Sequence, residues 1–237
     1  MNNHLYCGSD GGVFKSTDFG NSWTDLSFGL SISQFYKIAG YDPDQYLIIG
    51  GTQDNGTNKW TGSSSMLHVL GADGMDCMID HTNPDIQYYC AQNGGLHKTL
   101  DGGVTVFGIK PDSTFNVTGS WVTELIMNPV NSSIIYAAYS NVMKSTNGGD
   151  TWTKLAAPGI NLAMGTDNPN RIYSAGGKKI YRSDDAGNSW ITIIFPLSTA
   201  SINSIAVNPN NSMEIFVTNQ FFDDGEKVYH SIDGGSN

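Results

Sequence analysis

Ser16-Thr17-Asp18-Phe19-Gly20-Asn21-Ser22-Trp23 decides the fold, because the chain repeats it. Near copies are Ser145-Thr146-Asn147-Gly148-Gly149-Asp150-Thr151-Trp152 and Ser183-Asp184-Asp185-Ala186-Gly187-Asn188-Ser189-Trp190. A weaker copy runs Thr99-Leu100-Asp101-Gly102-Gly103-Val104-Thr105-Val106, and Ser231-Ile232-Asp233-Gly234-Gly235-Ser236-Asn237 gives the opening of another. Each reads as a hairpin turn. A short Asp or Asn side chain bonds its own backbone, and glycine takes the positive φ that a Cβ resists. The closing Trp begins the next strand and offers a large apolar surface to its neighbours.

A second mark recurs with the first. Asp42-Pro43, Asn83-Pro84, Asn128-Pro129, Asn168-Pro169 and Asn208-Pro209 follow one another at 41, 45, 40 and 40 residues. A short apolar strand precedes each mark, a second follows it, a third leads into the aspartate turn and a fourth leaves it. Four antiparallel strands every 40 to 45 residues predict an all-β fold, a β-propeller of four-stranded blades. No stretch has helical periodicity long enough to compete. The expected layout is one propeller segment, 1–237: a partial blade over 1–28, blades over about 35–69, 76–108, 121–155 and 161–195, and a partial blade over 202–237. Residues 1–28 supply strands two to four of a blade and the last unit supplies strands one to three. The expectation is therefore a piece of a larger propeller, seven- or ten-bladed, which the rest of the parent polypeptide completes.

Composition narrows the function. Twelve basic against 22 acidic side chains give a net charge of −10, which argues against nucleic acid and anionic membranes as partners. The longest apolar runs are too short to cross a bilayer, and no signal peptide is visible at Met1. Only 14% of residues are charged, a profile that suits a secreted or cell-surface protein. Cys77 and Cys90 lie nearly equidistant from Asn83-Pro84, which leaves a disulfide across that hairpin open. The better-supported alternative is a slot for a small buried residue, shared by Cys7, Cys90, Ala137, Ser174 and Val217.

The turns resemble Asp-box, or BNR, repeats, found in sialidases, xyloglucan-active glycoside hydrolases and sortilin (Vps10) receptor propellers. The resemblance spans the chain and is specific for fold, not for chemistry. Gly50-Gly51-Thr52-Gln53-Asp54-Asn55-Gly56-Thr57, with Trp60 and Gly71-Ala72-Asp73-Gly74, is similar to a blade of large secreted bacterial proteins that are sortilin-like or glycosyl hydrolase-like. Sialidases grip their substrate with three arginines, and this chain has only Arg171 and Arg182. The xyloglucan-active family carries an early R-T-D-x-G-G stretch with a catalytic Asp; the nearest sequence here, Lys15 to Gly20, is an ordinary aspartate turn.

Asp18, Asp101, Asp185 and Asp233, with Asn147 in the same slot and Trp23, Trp152 and Trp190 behind, read as structural. Equivalent turns of different blades do not converge on one point, and a proton-transferring acid would not tolerate Asn. No metal, cofactor or nucleophilic triad is expected; Asp223-Asp224-Gly225-Glu226 does not match an EF-hand loop.

Alternation of strands sends the Asn-Pro and aspartate turns to one face and the irregular loops to the other, where variable chemistry belongs. Ligand-binding candidates are Gln53, Asp54, Asn55, Asp73, Trp60, Phe221 and Phe222, with Phe115 and Trp121 as further aromatics. Catalytic candidates are Asp54 with Asp73 or Asp76, since two carboxylates on one rim serve glycoside hydrolysis when their separation fits. The competing account is a pair of Gly-flanked turns bonding their own backbone. The favoured reading is a non-catalytic binding or structural propeller of a secreted or cell-surface protein that engages glycan or protein through the irregular face, opposite the aspartate turns. The alternatives are a glycoside hydrolase with a cleft across the irregular face, and a spacer in a large adhesin or filament.

Overall fold

The computed structural model describes residues 4–9, 12–30, 33–195, 201–220 and 227–236. Six small antiparallel sheets follow one another along the chain, each built from consecutive strands. The first comprises Leu5–Ser9, Gly12–Ser16 and Thr24–Asp25. The second holds Phe35–Tyr41, Asp44–Thr52, Gly56–Thr61 and Leu67–Leu70. The third holds Gly74–Ile79, Gln87–Ala91, Gly95–Thr99 and Phe107–Gly108, and the fourth Leu125–Met127, Ile135–Ala138, Val142–Ser145 and Thr153–Lys154. The fifth contains Asn161–Met164, Ile172–Gly176, Lys179–Ser183 and Ile191–Ile194, and the sixth Ile202–Asn208, Asn211–Asn219 and Val228–Ser231. These are blades of a β-propeller, and helix among the described residues is limited to two 3-10 turns, Gln92–Gly94 and Ser113–Phe115. No helix is long and apolar enough to cross a membrane.

The aspartate turns share one hydrogen-bond pattern. In the fifth sheet Ser183 Oγ donates to Asp185 Oδ1 (2.8 Å) and accepts from Gly187 N (2.8 Å). Ser189 then donates its N–H to Oδ1 (2.8 Å) and its hydroxyl to Oδ2 (2.6 Å). Asp18 and Asp101 repeat all of these bonds with Ser16, Gly20 and Ser22, and with Thr99, Gly103 and Thr105. Donation from side-chain hydroxyls and backbone N–H groups holds the carboxyls of Asp18, Asp101 and Asp185 down at about 2. Asn147 fits by reversing one bond: its amide donates to Thr151 Oγ1 (2.9 Å), where an aspartate would accept.

Two successive residues in each turn are left-handed. The first is Phe19, Gly102, Gly148, Ala186 or Gly234, and the second is always glycine, with φ between 89° (Gly235) and 95° (Gly103). Packing adds to that demand. A Cβ on Gly149 would stand 2.5 Å from Ile109 Cδ1, and one on Gly187 would run into Leu155, each on the outer edge of the preceding sheet. The four later turns also lean on the first hairpin of their own sheet: Gly102 N donates to Asp85 O, Gly148 N to Ser133 O, Ala186 N to Asn170 O and Gly234 N to Met213 O. The Asn-Pro and aspartate turns therefore share one end of each of these blades.

Burial follows the joints between sheets. Separate apolar clusters join the second to the third sheet (Ile49, Cys77, Tyr89), the third to the fourth (Cys90, Leu125, Ile135), the fourth to the fifth (Tyr136, Leu162, Ile172) and the fifth to the sixth (Ile180, Ile205, Ile215). The first sheet joins none of these clusters, and Leu5, Tyr6 and Trp23 are exposed. This corrects one expectation: Cys7, at the slot predicted to be buried, is exposed, while Cys90, Ala137, Ser174 and Val217 are buried. The disulfide is absent as well. All three cysteines are free; Cys77 pairs across the hairpin with Tyr89, and Cys90 with Leu96. The register that runs back from the turn through Ile79–Gln87 and Met78–Tyr88 sets that pairing, so the two thiols enter different clusters on opposite faces of the third sheet.

Candidate functional site

The first strands bring a small polar network together. Lys37 of the second sheet reaches past the third to Glu124, just ahead of the fourth, with Nζ 2.9 Å from Oε1. The other Glu124 oxygen accepts Leu162 N of the fifth sheet (2.8 Å). Asp76 does the same one blade earlier: Oδ2 accepts Leu125 N (2.9 Å), and Oδ1 accepts Cys77 N (2.9 Å). Burial pushes the Asp76 carboxyl up to about 6 against those bonds and the Lys37 charge. Burial pulls Lys37 down, but the Glu124 bond and the Glu124 and Asp76 charges outweigh it and leave the ammonium above its usual range. Trp121 Nε1 donates to Tyr36 Oη (3.2 Å) alongside.

The rim loop of the second sheet is a clasp. Asp54, exposed and at φ 58°, donates its backbone N–H to Asp73 Oδ1 (2.8 Å), and Asp73 N donates to Gln92 Oε1 (3.1 Å). Asn55 Nδ2 donates to the Gln53 carbonyl (3.0 Å), and Gln53 N donates to Gln34 O (2.9 Å). Gln53, Asp54, Asn55 and Asp73 are thus together. Asp76 is buried three residues further on with both oxygens occupied, so of the candidate carboxylates only Asp54 makes no side-chain bond among the described residues. Trp60 is not with them. It lies toward the opposite end of its strand, edge-on to Tyr46 (centroids 5.8 Å apart), with Nε1 donating to Ser63 O (2.6 Å). Phe221 and Phe222, like Asp223 to Glu226, lie outside the described residues. Among the described residues no three His, Cys, Asp or Glu side chains gather in a cluster that could hold a metal.

A cleft of about 580 Å³ opens between the outer edge of the third sheet and the aspartate turn of the fourth. Phe107, Phe115 and Trp152 supply its aromatic walls; Lys110, Asp112 and Asp150 supply charge. The linker after Gly108 builds one side: Asp112 caps the 3-10 turn Ser113–Phe115 by accepting Thr114 N, which holds its carboxyl low. Trp152 is anchored by Nε1 to Ile109 O (2.8 Å).

One set of residues went unnoticed in the sequence although it carries a clear signal. Lys98, Lys144 and Arg182 each stand directly before the Ser or Thr that opens an aspartate turn. Lys98 Nζ lies 3.5 Å from Asp150, Lys144 Nζ donates to Ala186 O (2.9 Å), and Arg182 donates to Asp233 O and Gly234 O. Lys59 of the second sheet donates to Gly102 O. Each basic side chain latches onto the aspartate turn of the following blade.

No protein-family model and no curated relative matches the sequence. Solved structures do. A GH74 enzyme from Niastella koreensis superposes with a TM-score of 0.70 at 20% identity, over 99% of this chain and 44% of that one. The GH74 xyloglucanase from Xanthomonas campestris gives 0.70 at 14% identity, over 100% and 43%. YCF48 from Cyanidioschyzon merolae gives 0.60 at 14% identity, over 99% and 80%. The likeness is one of fold. The chain spans less than half the length of the two GH74 chains.

Proposed function

We propose that this chain is a non-catalytic, glycan-binding propeller of the Asp-box type, part of a secreted or cell-surface protein. The observation that carries the reading is the aromatic cleft between the third and fourth sheets. Sugar rings present C–H faces that pack on aromatic rings, and their hydroxyls bond to carboxylates and ammonium groups at the edge. Phe107, Phe115 and Trp152 offer the first; Lys110, Asp112 and Asp150 offer the second. The carboxylates support a binding role over hydrolysis. Asp76 is buried with both oxygens on backbone N–H groups, and Asp73 gives one oxygen to Asp54 N, whereas a hydrolase needs an acid and a base both facing its substrate.

Hydrolysis is the second reading, and the exposed Asp54 carboxylate beside the Asp73 clasp is the observation that favours it. Xyloglucan is the first polysaccharide to offer, because one structural neighbour is a xyloglucanase. The test pairs calorimetric titration of xyloglucan and other neutral oligosaccharides with a reducing-sugar assay on the same panel. Saturable binding without release of reducing ends supports the proposal. Hydrolysis that Asp54→Asn abolishes replaces it with the second reading, and neither binding nor hydrolysis leaves the protein-binding or spacer role.

A further inference from the structure

In three of the aspartate turns the hydroxyl hydrogen of the seventh residue is used inside the turn. Ser22, Thr105 and Ser189 donate it to Oδ2 of Asp18, Asp101 and Asp185, each at 2.6 Å. An ionised carboxylate only accepts, so it draws that hydrogen inward.

The turn of the fourth sheet differs, because Asn147 stands where these three carry aspartate. Its Oδ1 is fixed by two donors, Thr151 N (2.9 Å) and Ser145 Oγ (2.9 Å). The amide nitrogen is thereby turned toward Thr151 Oγ1, to which it donates at 2.9 Å. An amide nitrogen cannot accept a hydrogen bond in return. The Thr151 hydroxyl hydrogen therefore has no acceptor among the described residues. Thr151 keeps its place in the turn and gains a free donor.

The same turn forms one wall of the cleft of about 580 Å³ beside the third sheet. Gly149, Asp150, Thr151 and Trp152 all line it, and Thr151 is exposed there. The freed hydroxyl thus stands in a cleft that already offers aromatic faces at Phe107, Phe115 and Trp152. Its charged groups are one ammonium, Lys110, and two carboxylates, Asp112 and Asp150. A neutral donor complements that set, since a sugar hydroxyl both donates and accepts.

We infer that Thr151 is a ligand contact of this cleft, donating its hydroxyl hydrogen to an oxygen of a neutral sugar, and that Asn147 is the positioning residue that frees it. The assignment rests on the glycan-binding reading of the cleft. An aspartate at position 147 takes the hydrogen back, as it does in the sibling turns, and leaves the turn intact.

The test is calorimetric titration of neutral oligosaccharides derived from xyloglucan, cellulose and mannan against the intact protein and four variants. Asn147→Asp should weaken binding by roughly threefold to tenfold, the loss of one uncharged hydrogen bond, without lowering the melting temperature. Thr151→Val should weaken it to the same degree, and Thr151→Ser, which keeps the hydroxyl, should bind as the wild type does. Asn147→Asp combined with Thr151→Val should be no weaker than either alone, because both remove one donor; a purely electrostatic effect of the new carboxylate would add to the valine loss. Wild-type affinity in Thr151→Val, or full additivity in the double variant, overturns the inference and leaves the glycan reading standing. Absence of saturable binding by the wild-type protein overturns both.

Discussion

Lys144, on the third strand of the fourth sheet, donates to the carbonyl of Ala186 in the aspartate turn of the fifth, at 2.9 Å. The same ammonium stands 5.7 Å from the ring centroid of Tyr136, its cross-strand partner. An aromatic side chain therefore carries a basic one to the next blade, and the pair Tyr88 and Lys98 repeats the geometry one blade earlier. The turns do more than reverse the chain. They are the receiving half of an inter-blade latch.

Removing a latch tests this. Lys144→Met keeps the aliphatic stem and loses the charged donor, so it should destabilise the protein by about 1–2 kcal/mol. The effect stays near the lower end because the Ala186 turn is only half-buried and water can reach its carbonyl. Urea denaturation gives the number. A change within about 0.3 kcal/mol would show the bond contributes nothing net.

Asp76 should make stability fall with rising pH over a window where most carboxylates make it rise. Its folded carboxyl titrates at about 6, above the ordinary 3.8, so between those values the folded state holds a proton the unfolded state has lost. Stability then drops as pH rises through the window, by about 3 kcal/mol in order of magnitude. The groups facing it are Lys37, Glu124 and the Cys77 and Cys90 thiols. Asp18, Asp101 and Asp185 act oppositely and lower down: held at about 2, they contribute stability that is present above the ordinary value and lost as pH falls toward 2. Asp76→Asn should abolish the decline between about pH 4 and 6 in denaturation midpoints while leaving the acid limb intact.

Ala186 occupies a left-handed position, φ 57°, that Gly102, Gly148 and Gly234 fill in sibling turns. A Cβ there costs about 1–2 kcal/mol, and glycine returns about 0.5–1 of that through unfolded-chain entropy. Ala186→Gly should therefore stabilise by about 0.5–1 kcal/mol, read as a higher urea midpoint at unchanged slope. A lower midpoint would mean the Ala186 methyl makes packing contacts that matter more than its backbone strain.

The blades were legible because a turn needs particular atoms at particular steps. Ser183, Asp185, Gly187 and Ser189 each have a bond or a φ to satisfy, and Asn147 passed because its amide meets the same demand with one donor reversed. Periodicity could also show which residues share a slot. It could not show that Cys7 would be exposed, since burial depends on whether a neighbouring sheet covers the slot. Trp60 was misgrouped with Asp54 for a related reason: four residues of extended strand separate Gly56 from Trp60, a distance that carries the indole toward the other end of the blade. Asp76 looked like a catalytic partner because composition reveals a carboxylate and not its hydrogen bonds. The cleft at Phe107, Phe115 and Trp152 joins three elements of two blades, and only folding brings them together.

That cleft makes the sharpest claim on function. Phe107 is 40% exposed, so Phe107→Ala removes a cleft wall at little cost to the core. If a glycan stacks there, the variant should bind the oligosaccharide selected by titration about tenfold more weakly, with an unchanged melting temperature. Asp54→Asn, at the rim of the second sheet, should leave that affinity untouched. Trp152 is the built-in reporter, since it lies in the cleft wall and its emission should shift on saturation. The reverse outcome, with Asp54→Asn abolishing binding or turnover and Phe107→Ala silent, would move the site to the irregular face and revive hydrolysis.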